Sequence, residues 1–311
     1  MIKSHLICRI VKINLFRLVI LLLVLGYSAP AHAWEMRHFK RPITISGFSW
    51  LGDHTYMCLD GNSGCYGYNA DGNIYTSGAT VTGGNIVGYK LSPTSSQVLN
   101  SSCKLNCNMG PYGIYGVCHQ HTNRGLNTFG QTVSSLTVGY TKSKSMFGTY
   151  GINWSSCSCV MSGLTTASKL ESASVMDDNS LHGKNNKVIA EARHEFYTRK
   201  TEQLYKMAVE KYSTAELKQK NDEILSDDFS LMFDEILGDD YDASKKHKVI
   251  ALQKQLLSKN SAVRKQYEKS IITESDASAQ ISKNAEKFLA DAKDILGEED
   301  YNMLFEAKLT E

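Results

Sequence analysis

Two residues carry the chemistry this chain offers most plainly. Cys118 lies in Gly113-Ile-Tyr-Gly-Val-Cys118-His-Gln-His-Thr-Asn-Arg124. The glycines lead into a cysteine placed to open a helix. There, unpaired backbone N–H groups and the helix dipole favour a thiolate. The N–H groups of Cys118 and His119 at such a start also make an oxyanion site. A thiol nucleophile needs a base, and His119 is expected to point away on the helix. His121 is on the same face but cramped. His54, in Trp50-Leu-Gly-Asp-His54-Thr-Tyr-Met-Cys58, opens a predicted strand and is the better partner. A base brought by a strand to a helix-start cysteine need not be near it in sequence. On the turn and strand after His54, Asp60, Tyr68 and Asn69 are candidates to orient it. Arg124 is a candidate clamp for a substrate carboxylate.

A histidine on a strand, followed 64 residues later by a cysteine opening a His/Gln/Asn/Arg-rich helix, resembles the circularly permuted branch of the papain-like fold. That branch includes lecithin retinol acyltransferase-like enzymes and bacterial cell-wall-peptidase relatives. The resemblance covers about residues 45–130. It implies a cysteine hydrolase or acyltransferase acting on amide bonds of peptides or peptidoglycan, with Cys118 as nucleophile, His54 as base and no cofactor. The chain departs from the pattern at Val117, where an Asn is common, and at Cys118-His-Gln, where Cys-x-x-Phe is usual.

Disulfides set the background for that thiol. Cysteines occur at 58, 65, 103, 107, 118, 157 and 159, after Cys8 near the N-terminus. Seven is an odd number, so three bridges leave one thiol, and the spacing does not choose the pairing. Cys58, Cys65, Cys103, Cys107, Cys157 and Cys159 are the disulfide candidates. Cys118, His119, His121 and Cys157 or Cys159 are also zinc-type ligands, but their spacing matches no familiar zinc signature, and no metal is expected.

The chain divides by composition. Lys3, Arg9, Lys12 and Arg17 precede the apolar run Leu18–Leu25 and the small-residue site Ala31-His32-Ala33. This is the layout of a signal peptide over residues 1–33, and it predicts export to the periplasm or beyond. The apolar run is too short for a membrane span, and no other segment suits one. Residues 34–164 hold eight Lys/Arg, four Asp/Glu, nineteen of the 23 glycines and seven of the eight cysteines. Short β-branched and aromatic runs between glycine turns, such as His54–Cys58 and Gly84–Tyr89, predict a β-rich domain in which cysteines replace much of the apolar core. Residues 165–186 read as a linker rich in Ser, Asp and Asn. Residues 187–311 are charged and helical, with helices predicted to Leu237, over about 243–270 and 277–296, and from Glu298.

The expected class is therefore α+β: a disulfide-rich, papain-like, β-containing domain, then an all-α bundle or hairpin region. Ile236-Leu-Gly-Asp-Asp-Tyr241 and Ile295-Leu-Gly-Glu-Glu-Asp-Tyr301 form a weak repeat of a glycine stop followed by acids. A net charge of +2 argues against a nucleic-acid partner held by bulk charge. The expected partners are a peptide or cell-envelope substrate and a protein bound by the helices. The rival to the enzyme is a secreted binding, adhesion or effector module. Its cysteines are all scaffold and its many tyrosines form a binding surface.

Overall fold

A computed structural model describes residues 35–43, 47–59, 64–68, 74–75, 84–106, 109–133, 137–152, 200, 203, 207 and 214–306. The fold is α+β. Five strands, β1 Glu35–Pro42, β2 Asp53–Leu59, β3 Gly64–Tyr68, β4 Ile74–Tyr75 and β5 Asn85–Leu91, form one antiparallel sheet ordered β4-β3-β2-β1-β5. Seven helices are described: α1 Ser95–Leu105, α2 Cys118–Leu126, α3 Tyr140–Phe147, α4 Thr214–Leu237, α5 Ala243–Glu268, α6 Glu274–Leu296 and α7 Glu298–Phe305.

Alternation along the strands assigns the two sheet faces. In β2, Thr55, Met57 and Leu59 point one way and His54, Tyr56 and Cys58 the other. Register with β1 sets Met36 opposite Leu59 and His38 opposite Met57 on the first face. That face meets α1 and α2 through an apolar cluster of Met36, Met57, Leu59, Leu105 and Leu126. The other face carries Phe39 stacked on Tyr56 at 5.0 Å and the cross-strand Cys58–Cys65 disulfide. The sheet thus has an apolar core of its own. The expectation that cysteines replace much of it is corrected: the Cys58–Cys65 bridge joins β2 to β3 on the opposite face.

The charged C-terminal helices pack on this layer. A continuous apolar cluster runs from Trp50, Leu51, Ile114, Cys118 and Phe147 to Phe229, Phe233, Leu256 and Phe305. Polar contacts cross the same seam. Lys144 of α3 lies 3.3 Å from Asp228 of α4, both buried. Burial works against the Lys144 charge, but Asp228, Tyr140 and Glu235 together outweigh it and hold the lysine above its ordinary range. Asp228 also accepts from the Thr149 N–H and hydroxyl, each at 3.1 Å. Gln253 of α5 donates to the Ser145 carbonyl at 2.9 Å. The two repeated Ile-Leu-Gly segments meet at one end of the bundle. Gly238 and Gly297 take φ of +95° and +84° as helix stops, and Tyr241 hydrogen-bonds Asp300.

Candidate functional site

Helix α2 begins at Cys118 after an extended Val117, and all nine of its residues are buried. It lies against β2, β3, α1 and α3. Gly125 permits that approach. A Cβ there would sit 2.4 Å from Met57 Sδ and 2.8 Å from Leu105 Cδ2. The helix start is finished by Gln120, whose Oε1 accepts from the Val117 N–H at 3.2 Å.

Cys118 is in no disulfide, whereas Cys58, Cys65 and Cys103 each are. Cys107, Cys157 and Cys159 lie outside the described residues. The Cys118 sulfur is fully buried and lies 4.0 Å from the Asp53 carbonyl oxygen. The Tyr112 hydroxyl donates to it at 3.6 Å. Burial pushes the thiol up. The Thr55 N–H, the Tyr112 hydroxyl and the His119 N–H work the other way by hydrogen-bonding the sulfur, without overcoming burial.

The sulfur therefore meets the strand backbone at Asp53 and Thr55, the two neighbours of His54. The backbone beside His54 thus reaches the sulfur, but alternation along β2 sends the His54 ring to the other face of the sheet, so the sequence-predicted pair is not brought side chain to side chain. No hydrogen bond joins them. The His54 imidazole packs beside the Tyr56 ring at 6.2 Å, and its backbone is in register with Arg41. Both ring nitrogens are buried without a hydrogen-bond partner among the described residues. Burial lowers its pKa to about 3, helped by the charges of Arg41, His119 and His121. His54 is thus a neutral imidazole at ordinary pH.

His119 does not point away from the strand. Its Nε2 lies 2.8 Å from the Asp53 carbonyl oxygen, the atom that Cys118 also approaches, and its Nδ1 lies 2.8 Å from Ser143 Oγ. The start of α2 crosses β2, so successive side chains reach the same strand. With both nitrogens engaged, His119 ties β2 to α3. His121 sends Nε2 to the Leu105 carbonyl at 2.7 Å and stacks on Tyr68 at 5.6 Å. Arg124 is buried and its Nε donates to the Tyr150 carbonyl at 3.1 Å. That contact holds the 148–152 turn rather than presenting the guanidinium to a ligand. Asp60 and Asn69 lie outside the described residues, and Tyr68 is buried with its hydroxyl on the Gly110 carbonyl.

Tyr112 and Thr55 are the site residues that sequence reasoning missed. Tyr112 was one of many tyrosines, and nothing in its spacing tied it to Cys118. Among the described residues no group of His, Cys, Asp and Glu could hold a metal ion. Nor is any helix among them long and apolar enough to cross a membrane. No protein-family model, curated protein or solved structure matches this chain.

Proposed function

We propose that this protein is an exported thiol hydrolase or acyl-transfer enzyme acting on amide bonds of peptide or peptidoglycan type. The observation that carries the reading is the seat of an unbridged cysteine. Cys118 opens a buried helix with its sulfur against the backbone on both sides of His54, whose ring nitrogens have no partner there. In this reading Cys118 Sγ attacks the substrate carbonyl while His54 takes the thiol proton and later returns it to the leaving amine. The first N–H groups of α2 face the developing oxyanion. A thiol raised by burial beside a neutral imidazole favours proton transfer during attack over a standing ion pair. Catalytic hydrogen bonds are often unformed before substrate binds; because alternation along β2 sends the His54 ring to the face away from α2, the start of this strand must twist for ring and sulfur to meet.

The test is turnover of peptide and peptidoglycan-fragment amides by the oxidised protein. Cys118→Ala is expected to abolish it. His54→Gln is expected to lower kcat by about 10²–10⁴-fold with the fold intact. Full activity in Cys118→Ala would end this reading. The complete burial of Cys118 favours a second one, a binding or effector module in which this cysteine is a core residue. That module shows no turnover, and its Cys118 is alkylated only on unfolding.

A further inference from the structure

The thiol lies beneath a short loop, residues 109–117, between α1 and α2. Its Tyr112 rests on the sulfur and packs edge-on against Phe48 at 5.1 Å. The loop is pinned from outside by α5. Arg264, buried, donates from Nε to the Ile114 carbonyl at 2.8 Å. Glu268, one turn on, accepts from the Tyr115 hydroxyl at 3.1 Å. α6 backs the same loop, since a Cβ on Gly113 would stand 3.0 Å from Ser278 Oγ and 2.5 Å from the Phe48 ring. The loop is also held by the Gly113 N–H to Gly116 carbonyl bond at 2.9 Å, the Ile152 N–H to Tyr115 carbonyl bond at 2.9 Å and the Tyr68 hydroxyl on the Gly110 carbonyl, and its Met109, Ile114 and Val117 are buried in the core, so its opening is a local unfolding of this segment.

We propose that the 109–117 loop is a lid over Cys118 and that helix α5 latches it shut through Arg264 and Glu268. The C-terminal helices then control access to the thiol. A partner that grips α5, or a substrate that displaces Tyr115 from Glu268, releases Tyr112 from the sulfur. The lid rests on the reading of Cys118 as the working thiol. The loop contacts themselves do not depend on turnover.

The probe is iodoacetamide, with the Cys118 adduct followed by peptide mass spectrometry on the native, oxidised full chain. When closing is fast, the alkylation rate follows the population of the open lid. Tyr115→Phe and Glu268→Gln each remove the surface half of the latch and are expected to raise the rate about two- to fivefold. Arg264→Lys, which loses the planar Nε donor, is expected to raise it about tenfold or more. If Arg264→Lys fails to fold, the first two variants still decide. Tyr241→Phe, which removes a similar bond to Asp300 at the far end of the bundle, is expected to leave the rate unchanged. Wild-type rates in both surface variants overturn the lid. Equal acceleration by Tyr241→Phe overturns it too, because the opening is then global. Failure of turnover with the labelling pattern intact counts against the hydrolase and leaves the lid standing.

Discussion

Cys118 and His54 are each set by competing environments. The first residue of a helix favours a thiolate, and three donors meet the sulfur, but complete burial wins and the thiol stays above its ordinary range. The His54 ring, buried near other positive groups, is neutral down to about pH 3. The pH dependence of native Cys118 alkylation follows. A raised thiol needs more basic solution to ionise, so the rate is expected to climb through and beyond pH 8.5, the usual thiol midpoint. No inflection is expected near the ordinary histidine value of 6.5. A rate that levels off below pH 7 would mean a standing thiolate–imidazolium pair instead. The sequence nominated Cys118 as the unbridged cysteine, and among the described residues it is in no disulfide; the His54 side chain it was paired with is not brought to the sulfur. The lid tyrosine and the role of His119 were not legible in the sequence. The role of His119 follows from where β2 crosses the helix start, a contact between segments 66 residues apart, and that of Tyr112 from the fold of the loop that leads into the helix.

At the scale of elements, α2 is short, polar in composition and wholly buried, so its seating rests on close approach. Gly125 brings the helix backbone against Met57 of β2. Replacing it by Ala gains about 1 kcal/mol of helix propensity. The new methyl meets Met57 and Leu105, both fully buried and unable to withdraw. Overpacking of that kind costs about 1–3 kcal/mol, so Gly125→Ala is expected to lower the urea midpoint with m unchanged. An unchanged or higher midpoint would show that the sheet yields there. Elements with periodic apolar faces were legible: β2, β5 and the helices ending at Leu237 and Leu296 stand where patterning and glycine stops placed them. The helix predicted from about residue 277 starts earlier, at Glu274, because Thr273 and Asp276 cap it reciprocally. α3, Tyr-Thr-Lys-Ser-Lys-Ser-Met-Phe, has no amphipathic signal, since its lysines are buried against acids of α4 and the C-terminal end. β1 was also missed. Its alternating Glu35–Arg41 run reads as polar until it is paired between β2 and β5.

For the whole molecule, the joined core predicts acid lability. His38, His54 and His119 fall to about 3 and His121 to about 4 in the folded chain, each through burial. The unfolded chain binds these protons from about pH 6.5 downward. Between about pH 6.5 and 3 it therefore holds more protons than the folded chain, and stability falls as pH falls. Urea midpoints are expected to be level from about pH 7 to 8 and to decline steadily below about 6. A flat profile from pH 7 to 4.5 would show that these rings reach water in the folded state.

The sequence by itself determined the α+β class, the helical C-terminal region and the glycine stops. Each depends on the type and periodicity of neighbouring residues. Tertiary structure alone decided that Cys58 bonds Cys65, that Cys118 abuts the backbone flanking His54, and that α5 holds a loop over the sulfur. Those are meetings of segments whose local patterns carry no record of one another. They form because the apolar faces of the sheet layer and the helices bury more surface together than either does alone.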